Sequence, residues 1–166
     1  MRDVKVTLTP LELSLAAMCG VRRQIASLLG GHPNAHGLSN KDGWREHIEG
    51  ACGEMSTAKV IGCYWEPTVN TFRAPDLCGW IQVKTTSADN GHLIIHDGCN
   101  PEHAYVLVTG RSPDFIVRGW IMAKDATRDE WWRTVNPERP CAWYVPQSAL
   151  LDLDELLQLN TMRVAA

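Results

Sequence analysis

The sequence lacks several features that would place a chain in a known class at once. Its six cysteines, Cys19, Cys52, Cys63, Cys78, Cys99 and Cys141, form no CxxC pair. Their spacings match no zinc ribbon or finger. The opening residues MRDVKVTLTP hold no apolar stretch of a secretory leader. Reduced thiols in the cytoplasm are therefore expected, serving mostly as small buried hydrophobes. No run of about 18 apolar residues occurs, so no membrane span is expected. Excess positive charge is missing too. The formal net charge is −3, and no overall field points to a polyanionic partner. There is no internal repeat and no low-complexity tract.

What is present fits one α/β domain over residues 1–166. A chain of 166 residues can bury a core of its own. Arg outnumbers Lys 11 to 5, and the planar guanidinium suits phosphate oxygens. Thr9-Pro10 reads as a helix start. Leu11, Leu15, Met18, Ile25, Leu28 and Leu29 follow at helical spacing, with Arg22 and Arg23 among them and Gly30-Gly31 as the stop. GGHPNAHGLSNKDG is a loop by composition. A second helix is expected from about Trp44 to Val60. Its middle, EGACGEMSTAKVIG, is rich in small residues that let a helix lie close on a sheet.

Strands are expected at VNTFR, WIQVKTT, HLIIH, YVLVT, DFIVRGWIMA and CAWYVP, with Gly119 as a bulge. Residues 125 to 134 read as a short helix. PQSALLDLDELLQL reads as a closing helix with Leu150, Leu153, Leu156 and Leu157 as its stripe. The fold class is thus a central mixed β-sheet flanked by helices. Residues 1–43 form an N-terminal helix and loop, 44–125 the core, and 126–166 a C-terminal strand and helix.

The stretch APDLCGWIQVKTTS, residues 74–87, carries the chemistry. A β-strand places residues i and i+2 side by side, so Gln82 and Lys84 share one face while Ile81, Val83 and Thr85 share the other. Asp76 lies in a segment broken by Pro75 and Gly79, from which it can turn back onto the strand. Glu54 comes from the helix, next to Gly53 and one turn from Gly50 and Ala51, small neighbours that allow close approach. Hydrolysis of a phosphodiester calls for a divalent cation held by hard oxygens, with a lysine nearby to orient water or stabilise charge.

The order Glu54, Pro75-Asp76, Gln82-Val83-Lys84 resembles the PD-(D/E)XK nuclease superfamily, in particular its small phage or prophage members. The resemblance covers roughly residues 44 to 125. It implies a restriction-endonuclease-like fold and Mg²⁺- or Mn²⁺-dependent cleavage of DNA in a bacterial host cytoplasm. It implies Glu54 and Asp76 as metal ligands, the Val83 carbonyl as a main-chain ligand, and Lys84 as the catalytic lysine. Gln82 departs from the pattern, which usually has Asp or Glu there. Its amide oxygen can meet a hard cation but adds no charge. Members of the superfamily are often dimers, so a homodimer is implied, although no segment of the sequence identifies an interface.

Each residue also has a plainer reading. Glu54 suits a solvated helix face, Asp76 a turn, and Lys84 a strand-edge gatekeeper. Glu46 and Glu49 compete for the helix acid. Glu49 is about 140° around the helix from Glu54, so both cannot face one site. Thr85, Thr86 and Ser87 could meet a phosphate or simply end the strand. His92, His96 and His103 read as surface or strand-end residues. Trp131-Trp132 reads as core packing, and Arg22 and Arg23 as a solvated face. Two rival functions remain. One is a weakened or inert nuclease fold that binds nucleic acid or a protein. The other is a small zinc protein using Cys and His.

Overall fold

The computed structural model describes residues 3–30, 40–69, 74–135 and 140–164. In chain order the elements are β1 (Val4–Thr7), α1 (Pro10–Leu29), α2 (Asn40–Ile61), β2 (Ile81–Thr86), β3 (Leu93–His96), β4 (Ala104–Arg111), β5 (Asp114–Met122), α3 (Ala123–Ala126), β6 (Trp132–Arg133), β7 (Ala142–Val145) and α4 (Leu153–Val164). The result is mixed α/β, with two sheets and four helices among the described residues. All of VNTFR but Val69, and most of the loop expected after Gly30, lie outside the described residues.

The larger sheet has the order β1-β5-β4-β2. β2 runs parallel to β4, and the other pairs are antiparallel. Two cores sit on its two faces. On one face Ile81, Val83, Val106, Val108 and Val117 meet the helices, including Leu153 and Leu156 of α4. On the other face Tyr105, Leu107 and Ile121 meet Leu93, Ile95 and Val145. These last residues belong to the second, antiparallel sheet, β3-β7-β6. The strands expected in one central sheet thus divide between two; α1, α2 and α4 gather on one face, and the short α3 packs with the second sheet on the other. β4 is buried on both sides, which accounts for its unbroken apolar run AYVLV.

α1 begins as its sequence requires. The Thr9 hydroxyl accepts from the Glu12 N–H, and the Glu12 carboxylate accepts from the Thr9 N–H. This reciprocal pair is a capping box. Its apolar stripe, however, faces outward: Leu11, Leu15, Met18, Ile25, Leu28 and Leu29 are all exposed. Ala16, Cys19, Gly20, Gln24 and Ser27 face inward instead. The reason is the tight crossing with α2. A Cβ on Gly20 would lie 2.5 Å from the Ile48 Cα and 2.6 Å from the His47 carbonyl oxygen, so only small residues fit the seam.

The small residues of α2 act in the same way toward the sheet. Ala51, Cys52, Gly53, Ser56, Thr57 and Ala58 are buried, and a Cβ on Gly53 would collide with the Thr85 hydroxyl. α2 begins at Asn40, four residues before the expected start.

Other expectations shift. β1 was not expected from the sequence, and its four residues gain their strand by pairing with β5. The helix expected over 125 to 134 is replaced by the short α3, one 3₁₀ turn at Asp129–Trp131, and β6. β6 pairs Trp132 with Trp143 and Arg133 with Ala142. The closing helix starts late, because Leu151 exchanges two backbone hydrogen bonds with Trp120 and holds the chain extended. A bulge does occur near Gly119: Leu107 faces Gly119 and Val108 faces Val117, leaving Arg118 unpaired in register.

Two glycines of the α1–α2 pair should respond oppositely to alanine. Gly20→Ala must push the helices apart and should lower unfolding free energy by roughly 1–3 kcal/mol or more. Gly50 has open space around its Cβ position, so Gly50→Ala should stabilise by about 0.5–1 kcal/mol. Urea denaturation of both variants checks this, and equal effects would refute the close crossing.

Candidate active site

β2 forms one edge of the larger sheet. Backbone groups alternate along a strand, so those of Val83 point away from β4 toward the open side. The Val83 N–H donates to Asp76 Oδ2 at 2.7 Å. The Val83 carbonyl projects from the same side. Asp76 arrives there through a tight turn. Leu77 and Ile81 exchange backbone hydrogen bonds of 3.0 Å, and Cys78 and Gly79 turn the chain at φ +53° and +75°. A separation of seven residues in sequence thus becomes one hydrogen bond.

Side chains reach this edge from both faces of the sheet. Glu54 approaches from α2 on the helical side and is buried. Its Oε1 accepts from Arg23 Nη1 at 2.5 Å, and its Oε2 accepts from Arg23 Nη2 at 2.9 Å and Trp65 Nε1 at 3.0 Å. Lys84 lies toward the second sheet, its Nζ 6.0 Å from the centre of the Tyr105 ring. Gln82 shares that side, and its Nε2 donates to the Ala74 carbonyl at 3.3 Å, which leaves the amide oxygen as an acceptor.

The Asp76 carboxyl is pushed up from its ordinary value to about 6. Burial is the largest cause, followed by the neighbouring Glu54 carboxylate. The Val83 N–H, Lys84 and Arg23 act in the opposite direction. Two carboxylates held together out of water favour either a proton or a cation between them.

The donor set suits a hard divalent cation. Asp76 has a second oxygen, Val83 offers its carbonyl and Gln82 its amide oxygen, and such ions take oxygen ligands. Glu54 could join only by exchanging Arg23 and Trp65 for the ion. Among the described residues, no group of three or more His, Cys, Asp or Glu side chains could hold a metal.

A cleft of about 560 Å³ opens beside Lys84. The end of β2 contributes Thr85 and Thr86, followed by Ser87; α2 contributes Arg45, Glu46 and Glu49; the second sheet contributes His96 and Tyr144, with His92 just before β3. The Thr85 hydroxyl is buried and has no hydrogen-bond partner among the described residues. Glu49 accepts from the Ser112 N–H at 3.0 Å and its hydroxyl at 2.8 Å, so it and Glu54 do serve different places.

Several residues depart from their sequence reading. Arg23 is no solvated helix residue but the partner of Glu54, whereas Arg22 is exposed. The pair is 31 residues apart across a loop, and no local signal announces it. His92 and His96 flank Ile94 at period two, a spacing that could have placed them on one face with Lys84 nearby. Trp132 is exposed and packs its ring 4.4 Å from that of Trp143, outside either core.

The raised Asp76 value fixes the sign of a pH effect. Between about 4 and 6 the folded protein holds a proton that the unfolded chain has lost. Stability should therefore fall as pH rises through that window and level off above it. Asp76→Asn keeps an acceptor for the Val83 N–H and removes the charge. It should stabilise the protein above pH 6 by at most roughly 2–3 kcal/mol, with little gain near pH 4. Thermal unfolding of both proteins from pH 4 to 8 checks this, and a pH-independent difference would refute it.

Comparison of the chain with protein-family models, with curated proteins and with solved structures found no match.

Proposed function

We propose that this chain is a divalent-metal-dependent DNA nuclease of the PD-(D/E)XK type, with a restriction-endonuclease-like fold and Gln82 in the third acidic position. The observation that carries the reading is the position of Asp76. Its carboxylate is held at the open edge of β2 by the Val83 N–H, with Glu54 close on one face and Gln82 and Lys84 on the other.

Asp76, the Val83 carbonyl and the Gln82 amide oxygen would hold Mg²⁺ or Mn²⁺, with Glu54 as a further ligand once Arg23 releases it. Such a cation, when bound, offsets phosphate charge and lowers the pKa of an attacking water. Lys84 orients that water and stabilises charge that builds on the phosphate oxygens. Water would attack phosphorus directly as the P–O bond to one sugar oxygen breaks, that oxygen leaving as an alcohol after taking a proton from solvent, so no covalent enzyme intermediate is needed. The cleft beside Lys84 receives the strand. Arg45, Thr86, Ser87 and the two histidines meet its phosphates there, contacts that position rather than read sequence.

A second reading has its own support. Glu54 is already saturated by Arg23 and Trp65, and Gln82 brings no charge. Both features suit a nuclease-like module that binds nucleic acid or a protein without cutting.

A cleavage assay on supercoiled, linear, single-stranded and four-way-junction DNA separates the two. Wild type should cut with Mg²⁺ or Mn²⁺ and stop in EDTA. Asp76→Ala and Lys84→Ala should each lose about 100-fold or more, and Gln82→Glu should cut faster. Folded protein that is silent with every metal, including as Gln82→Glu, would replace the nuclease reading with the binding module.

A further inference from the structure

The exposed face of α1 is apolar, the reverse of a helix that merely covers a core. Leu11, Leu15, Met18, Ile25, Leu28 and Leu29 are between 43% and 85% exposed. Ser14 and Arg22 are the other exposed side chains between them. Solvent does not favour so long an apolar stripe, and patches of this kind mark interaction sites.

The spacing says what shape covers it. Positions 11, 15, 18, 22, 25 and 29 alternate steps of four and three, the seam that packs against another helix. We propose that the occupant is α1 of a second copy of this chain, lying antiparallel about a two-fold axis near Gly20. In that alignment Leu11 meets the partner's Leu29, Leu15 meets the partner's Ile25, and Met18 meets the partner's Arg22. Every position of the seam is matched, and Leu28 flanks it beside Leu29 and Ile25.

Arg22 sets the direction. A parallel pair in register would place the two Arg22 side chains at the same level, like charge against like. The antiparallel pair lays each Arg22 stem along the partner's Met18 and lets the guanidinium reach water. A polar residue at one seam position is a known way to fix register at some cost in stability. The area is adequate. The five apolar side chains of the seam leave roughly 600 Å² uncovered on each copy, so a pair would bury up to about 1,200 Å², the low end of the standard specific interface. A membrane fits less well, since such helices carry several basic residues beside their apolar face, and among the exposed side chains of α1 from Leu11 to Leu29 Arg22 is the one that is basic.

Sedimentation equilibrium tests the proposal, with far-UV circular dichroism to verify folding. Wild type should be a dimer at micromolar concentration. Leu15→Glu and Met18→Glu, at positions already exposed in the single chain, should stay folded and weaken the dimer by about 100-fold or more. Leu159→Glu, on the exposed part of α4, should leave it intact. With the exposed Cys78 and Cys141 changed to Ser, an oxidised mixture of Leu15→Cys and Ile25→Cys proteins should yield chiefly the mixed disulfide. A monomer at all concentrations would overturn the proposal, as would a dimer that survives Met18→Glu. A Leu15→Cys homodisulfide in place of the mixed one, or a monomer that binds anionic phospholipid vesicles through this face, would overturn it too.

Discussion

Strand β2 has a sheet neighbour on one side only, and the backbone groups on its other side must find partners elsewhere. Asp76 supplies one by accepting the Val83 N–H. That bond ties a carboxylate to the edge of the sheet, half-buried and close to a second carboxylate, Glu54. The rest of the site follows from it. The turn at Cys78 and Gly79 exists to bring Asp76 back. The glycine-lined contact of α2 with β2 brings Glu54 near. Lys84 and Arg23 are the positive charges that make the arrangement tolerable.

The cost of two neighbouring buried acids is met unequally. Glu54 has a bidentate arginine and an indole N–H, a well-satisfied buried pair whose rupture on loss of one partner costs about 3–5 kcal/mol. Asp76 has one backbone donor and cations at greater range, and its carboxyl is pushed up accordingly. The less satisfied carboxylate is therefore the one beside the Val83 backbone and the Gln82 amide. On the proposed reading a divalent cation completes this set. Arg23 then governs whether Glu54 takes part, which makes the α1–α2 seam a structural neighbour of the chemistry.

Much of the site was legible in sequence because strands and turns carry short-range rules. Period two separated Gln82 and Lys84 from Ile81 and Val83. Pro75 and Gly79 marked the turn that returns Asp76, while the part of Cys78 in it (φ +53°) had no signal. The small residues of α2 announced a close approach. What escaped was non-local. The partnership of Arg23 with Glu54 depends on how two helices cross. β1 is too short to show a period and exists through its pairing with β5. The split into two sheets depends on strand partners that no single strand reveals. The α1 stripe was visible as a pattern, but its direction was set by Gly20 against the Ile48 backbone, and that contact belongs to tertiary structure.

The most direct test of the account is a carbon-13 NMR titration of the Asp76 carboxyl, with and without Mg²⁺. The account predicts an apparent pKa near about 6 in metal-free protein and a marked fall when Mg²⁺ saturates the site. An ordinary carboxylate titration that Mg²⁺ leaves unmoved would contradict it.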